Sequence, residues 1–359
     1  MQFKNLTQFL VVALGIAGMA LAVGCGDDST PPATDSGTPD SATDAGPTTC
    51  ATADPSKTFV IDVMDIGRED PTGVAPGFDL DMRVSDDTDA QGCYQPDFTS
   101  PEGAAGIDNQ LAVLAPTIES AAMTDLAASI SDSIAGGTIL IMPIIENLDD
   151  NINDSCVNLT LLLGKVPGGG APALNTAGTL ASGQTFDIDP NSYDASGNPL
   201  IHLASAEVVN GHLQAGPVDI SLALPVSGST LTLNIRHAII SFDIAADGTA
   251  ISNGLLGGEL IVEELITAAM AISDTLPIET LRGFLTSVAD LSPNATGDCE
   301  SLSVALVFSG IPAVEGVLAT PTDAGTPDAG ADAGTPDAGS DAGSADSGTA
   351  DAGTADTGV

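Results

Sequence analysis

The sequence predicts a β-rich α+β domain: an antiparallel β-sandwich with two pairs of packed helices, set between an N-terminal tether and a C-terminal tail that do not fold. Three observations carry that expectation. Short apolar runs rich in β-branched residues recur between Gly, Pro and Asp turns from residue 58 to residue 308. In one of them Ile240, Phe242 and Ile244 alternate with Ser241 and Asp243, the pattern of a strand with one buried and one wet face. Helical spacing takes over in only two regions, after Asp108 and over residues 259–289.

Residues 58–67 read as the first strand. Phe59, Ile61 and Val63 lie on one face and Val60, Met64 and Ile66 on the other, so both faces meet apolar surface. Residues 68–106 are a long polar segment holding Cys93, a length expected only where a loop is functional or tied down. Asp108 is placed to cap a helix running through Leu111 and Leu114 towards Pro116, and a second helix covers residues 124–134. Strands at 138–145 and 157–163 flank an Asp- and Asn-rich loop. Residues 164–183 are rich in Gly, Pro and Ala and form an internal connection, the candidate sub-boundary of the domain. Strands follow at 200–209, 218–224, 230–235, 238–244 and 250–256, with Asp247-Gly248 as a hairpin turn. Helices at 259–273 and 277–289, the second opened by Pro277, precede a last strand at 302–308.

The chain of 359 residues carries 7 Lys+Arg against 49 Asp+Glu, a formal charge of −42. Phosphate backbones need a basic footprint, so no nucleic-acid partner is expected. Attraction to anionic lipid headgroups is excluded on the same ground. Residues 1–24 have the layout of a secretory signal peptide: Lys4, an apolar run from about Phe9, then small residues. Residues 25–49 and 319–359 are dominated by Asp, Ala, Gly, Thr, Pro and Ser and bury too little apolar surface to fold. The tail repeats Asp-Ala-Gly-Thr-Pro without an apolar stripe. The foldable part is residues 50–318.

Four cysteines fall in that part: Cys50, Cys93, Cys156 and Cys299. An even number without C-x-x-C spacing, in an exported chain, reads as two disulfides. Cys93 and Cys156 each close an Asp-rich loop, and Cys50 and Cys299 lie near the two ends of the foldable part. The expected pairs are therefore Cys93–Cys156 and Cys50–Cys299. The first would join Asp79, Asp81, Asp86, Asp87 and Asp89 to Asp149, Asp150 and Asp154, a set of hard oxygen ligands suited to calcium. Neither run is an EF-hand. From Asp79 the glycine and closing acidic positions hold Val84 and Ala90, and from Asp149 they hold Asp154 and Thr160. Asp108 and Asn109 are candidate additions to the set. His202, His212 and His237 lie in or beside strands outside any metal motif, and read as surface or satisfied core residues. No nucleophile elbow or P-loop is present in the foldable part; Gly168, Gly170 and Ala173 match only the loose form of a dinucleotide fingerprint, without a helix to follow.

Leu21-Ala22-Val23-Gly24-Cys25 resembles a bacterial lipobox. The resemblance implies diacylglyceryl transfer to Cys25, cleavage before it, and a chain held in the cell membrane or outer membrane by its lipid. Lipobox, acidic tether and exported domain together resemble the lipoproteins of gliding, predatory bacteria. Residues 50–318 bear a loose likeness to uncharacterised exported domains, carried by Gly77-Phe78-Asp79-Leu80-Asp81, Gly106-Ile107-Asp108-Asn109-Gln110 and Asn253-Gly254-Leu255-Leu256-Gly257-Gly258. No activity accompanies that likeness.

The functional expectation is a lipid-anchored, non-catalytic binding or structural module at the cell envelope, with calcium as its one candidate cofactor and an envelope protein or glycan as candidate partner. Two alternatives stand beside it: an exported hydrolase using carboxylates, and a carrier of an apolar ligand, the latter suggested by the abundance of Leu, Ile and Ala.

Overall fold

Strand β1 (Ser56–Ile66) is apolar on both faces, and the fold explains why. In the computed structural model, which describes residues 50, 56–122, 125–226, 229–272 and 278–319, β1 is an interior strand hydrogen-bonded on both edges. The leader, Cys25, the tether and all but the first residue of the tail lie outside the described residues. Phe59 and Val60 are 1% and 0% exposed, and burying side chains of this size contributes about 1.5–3 kcal/mol each.

On one edge β1 pairs with β4 (Ile141–Glu146), which forms a hairpin with β5 (Asn153–Lys165). On the other it pairs with β12 (Cys299–Pro312), and the sheet continues through β10 (Ile251–Ile261), β9 (Ser229–Ile244) and β8 (His212–Val226) to β7 (Ile201–Val209). β7 then pairs with β5, so the eight antiparallel strands close on themselves as a barrel-like sheet. A sandwich and a barrel share the same alternation of buried and wet residues; what separates them is the ladder between β5 and β7, which joins strands far apart in sequence. Two short strands, β6 (Thr185–Ile188) and β13 (Val314–Leu318), pair in parallel with each other, and β6 extends the end of β5. β2 (Phe98–Thr99) pairs with β3 (Ala105–Ile107), and β11 (Leu291–Pro293) with β12. Strands before and after residues 164–183 pair with each other, so no boundary falls there.

Among the described residues four helices lie against this sheet. α1 (Gln110–Ala122) packs on β12 and continues through Pro116; α2 (Leu126–Ala135), capped by Asp125, packs on β1. α3 (Val262–Ile272) packs on β9 and on α4 (Ile278–Val288). A second apolar cluster under α1, α3 and α4 holds Leu114, Val262, Ile266, Leu285 and Leu302. Arg68, just after β1, makes two hydrogen bonds to Glu119 of α1 at 2.9 and 2.7 Å, and Glu119 also accepts from Leu126 N at the start of α2.

Two sequence readings of the strands change. Residues 230–244 form one continuous strand with a break in register near His237 (φ 49°), not two strands. Glu259, Leu260 and Ile261 belong to β10, where they pair with Ser303, Leu302 and Ser301; the helix begins at Val262.

All four cysteines are bonded, but in the other arrangement: Cys50 with Cys156, and Cys93 with Cys299. The register shows why. Ser56 faces Glu146, and Glu146 faces Asn158, which brings the chain before β1 beside Cys156. Phe59 faces Pro312 at the far end of β12 from Cys299, about 40 Å of strand away. Cys50 and Cys299 therefore lie at opposite ends of the barrel. Peptide mapping of the unreduced protein recovers the pairs 50–156 and 93–299, and replacing Cys93 and Cys299 by Ser lowers the unfolding free energy by about 2–5 kcal/mol.

Candidate functional site

The three segments quoted above converge outside the barrel wall. Phe78 and Asp108 form an isolated antiparallel bridge, with Asp108 N donating to Phe78 O at 2.9 Å. The Phe78 ring lies over Gly257, where a Cβ would stand 2.7 Å from the ring. At Gly106 (φ +82°) any Cβ would collide with the Arg83 carbonyl, so only glycine lets the two segments run this close.

This crossing gathers carboxylates. One oxygen each from Asp79, Asp81 and Asp108 lie within 4.8 Å of one another. Asp108 is 3% exposed, and its Oδ2 accepts from Leu80 N at 2.6 Å. It is not serving as the expected cap of α1; Gln110 N, at the start of that helix, instead donates to Ser303 Oγ at 2.7 Å. The Ser303 hydroxyl in turn donates to buried Asp290, whose other oxygen accepts from Ser303 N at 2.8 Å. Asp97 accepts from Ser85 N at 2.5 Å. Burial pushes Asp108 up to about 8, with Asp290, Asp81 and Asp97 adding like charge. Burial likewise raises Asp290 to about 7 and Asp97 to about 6, and it raises Asp81. Asp81 Oδ1 is buried with no hydrogen-bond donor.

Of the predicted calcium ligands, then, Asp79 and Asp81 come together, joined by Asp108. Asp86 accepts from Thr88 in its own turn, Asp87 is exposed, and Asp89 pairs with Arg83 at 2.8 Å. Asp149 and Asp150 sit on the β4–β5 turn and Asp154 at the start of β5, at the Cys50 end. There Asp154 accepts from Asp149 N and Cys156 N, and Asp150 accepts from Ile152 N. The Cys93–Cys299 bond holds its loop at the opposite end, so the two acidic runs are not joined as expected. Each histidine has a partner: His202 with Thr160, His212 with Asp243, His237 with Glu259.

Sequence reasoning missed the other concave feature. A cavity of about 240 Å³ occupies the barrel lumen. Met64 of β1, Ile141 of β4 and Leu163 of β5 line it, with Ile201 of β7 and Ile220 of β8. Phe242, Leu256 and Phe308 complete the ring from β9, β10 and β12. All eight barrel strands contribute, and the polar lining is confined to Asn191, Ser192, Asp219 and Ser221. The signal was the alternation itself, since Ile240, Phe242 and Ile244 are all buried. Leu256 faces the lumen while its neighbour Gly257 carries Phe78, so lumen and carboxylates lie on opposite faces of the wall.

Comparison of the chain with protein-family models, curated proteins and solved structures finds no match.

The raised carboxyl values fix a pH dependence. A group whose folded pKa exceeds its unfolded one contributes stability that is full below the unfolded value and lost as pH rises through the folded one. For Asp108 that window runs from about 4 to about 8. In metal-free buffer the melting temperature therefore falls across this range. Asp108→Asn keeps an acceptor for Leu80 N, flattens the profile, and stabilises the protein at pH 8 by up to about 5 kcal/mol, since it removes a rise of about four pKa units at about 1.4 kcal/mol each.

Proposed function

We propose that this chain is an exported lipoprotein, held at the cell envelope by a lipid on Cys25, whose barrel binds a small apolar ligand without transforming it. The observation that carries the reading is the lumen cavity with its apolar side chains from all eight strands. An eight-stranded barrel is just wide enough to hold one small ligand, and apolar pockets with a few convergent polar groups are the usual form of such sites. The two disulfides suit an oxidising compartment outside the cytoplasm. Among the described residues no helix is long and apolar enough to cross a membrane. Of the three sequence-level alternatives the cavity favours the carrier. The buried carboxylates lie across the wall from the lumen, which weighs against their acting on its contents.

A second reading concerns stability. Asp79, Asp81 and Asp108 form a candidate calcium site, supported by their mutual approach and by the donor-less Asp81 oxygen.

Three measurements test these statements. A neutral fluorescent apolar probe should bind the chain from Gly26 to Val359 saturably at one site, and Leu163→Trp should weaken it at least tenfold by filling the lumen; uptake that never saturates removes the carrier. Labelled palmitate should enter the wild-type protein and not Cys25→Ser, and the anchor is lost as an idea if the wild type stays unlabelled. Calcium at a hundredfold excess over its dissociation constant should stabilise the fold by about 2.7 kcal/mol, an effect absent in Asp81→Asn.

A further inference from the structure

β7 and β8 are neighbours in the barrel, yet they pair only at Glu207–Gln214, Val208–Leu213 and Val209–His212. Beyond that hairpin they part. Residues 201–206 of β7 keep their ladder with β5, and residues 215–221 of β8 keep theirs with β9. The sequence of β8 enforces the parting. Gly216 adopts φ +135°, where an added Cβ would stand 2.7 Å from Ala238 O, and Pro217 has no N–H to offer a neighbouring strand. Register shifts on either side of Val218 bend the strand further.

A cleft of about 310 Å³ lies in this opening, lined by residues 202–206 and 214–218. The two linings adjoin in sequence on both sides of the opening: Leu200 and Ile201 of the lumen lining directly precede the cleft residues of β7, and Asp219, Ile220 and Ser221 directly follow those of β8. The two spaces differ in character. The lumen wall is mostly apolar, and the cleft wall mostly polar, formed by strand edges with the Gln214 carboxamide beside them. Among the described residues neither space is lined by Lys or Arg, and His202, the one histidine of the cleft lining, is already engaged with Thr160 Oγ1 through Nδ1 at 2.9 Å. Asp219, the one carboxylate in either lining, is already engaged: Oδ2 takes Arg236 at 2.8 Å and Oδ1 takes His237 N at 3.1 Å.

We infer that the parting of β7 and β8 is a side opening of the lumen, and that the ligand is a neutral amphiphile, with its alkyl chain in the lumen and an uncharged hydroxyl or amide head in the cleft. This rests on the lumen being a binding site. A carboxylate or phosphate head would lie in the cleft without a counter-charge, in a chain of net charge −42. A cationic head would find no uncommitted carboxylate there. An uncharged head with donors and acceptors meets the same kinds of group along the two strand edges and at Gln214.

The test is displacement of the neutral fluorescent probe from the chain running from Gly26 to Val359. Three twelve-carbon amphiphiles are compared below their micelle concentrations: monolauroylglycerol, laurate and dodecyltrimethylammonium. The neutral compound should displace the probe at a concentration at least tenfold lower than either charged one. Ala204→Trp, at an exposed position in the cleft, should abolish that preference. Equal displacement by all three, or a preference that survives Ala204→Trp, overturns the inference while the lumen stands as a binding site. Absence of saturable probe binding in the unaltered chain overturns the lumen reading itself.

Discussion

The ladder between β5 and β7 is the constraint on which the rest of this structure depends. It is where the sheet meets itself, through Val157–Ala206, Leu159–Leu203 and Leu161–Ile201. Without it Leu159 and Leu161 would lie along an exposed edge, and the interior faces of eight strands would enclose nothing. Closure demands bending, and the bending is visible. The β5–β7 register shifts on both sides of Val157, and Ser205 takes φ 62°, with its N–H accepted by buried Asn158 Oδ1 at 3.2 Å. The burial of a polar side chain at Asn158 is thus explained by an irregularity in the ladder.

Closure also separates two environments that the sequence mixes residue by residue. Inside, Ile, Leu, Met and Phe meet across an apolar space. Outside, on the same strands, Ser303 links α1 to Asp290, and the segments around Asp79 and Asp108 lie over Gly257. The raised carboxyl groups follow from this layering: helices and loops cover the outer face deeply enough to dehydrate Asp108 and Asp290, and the surrounding acids add repulsion.

Much of the strand inventory was legible in the sequence. Alternation at Ile240, Phe242 and Ile244 located the inner face of β9, Asp247-Gly248 marked its turn, and the two-faced apolarity of residues 58–67 marked an interior strand. Closure was not legible, because a period of two says which face is buried and nothing about which distant strand completes the sheet. The cysteine pairs failed for a related reason. Cys50 and Cys299 lie near the two ends of the foldable part in sequence, but β12 runs antiparallel to β1 and carries Cys299 to the far end. Helical spacing around Glu259 misled because Leu260 and Val262 also suit a strand running into a helix. The carboxylate group was half visible. Asp79 and Asp81 share a run, whereas Asp108 joins them only through a crossing that depends on Gly106.

The Cys50–Cys156 bond has a mechanical consequence. Tension drawn on the chain ahead of Cys50 does not reach Ser56 first and cannot strip β1 from β4 and β12 one rung at a time. It passes through the sulfurs into β5, a strand held on one edge by β4 and on the other by β7. A pull directed outward from that end of the barrel loads both ladders in shear, so many hydrogen bonds resist together. Whatever holds the N-terminal side of this protein therefore tugs on a strand braced along both of its edges.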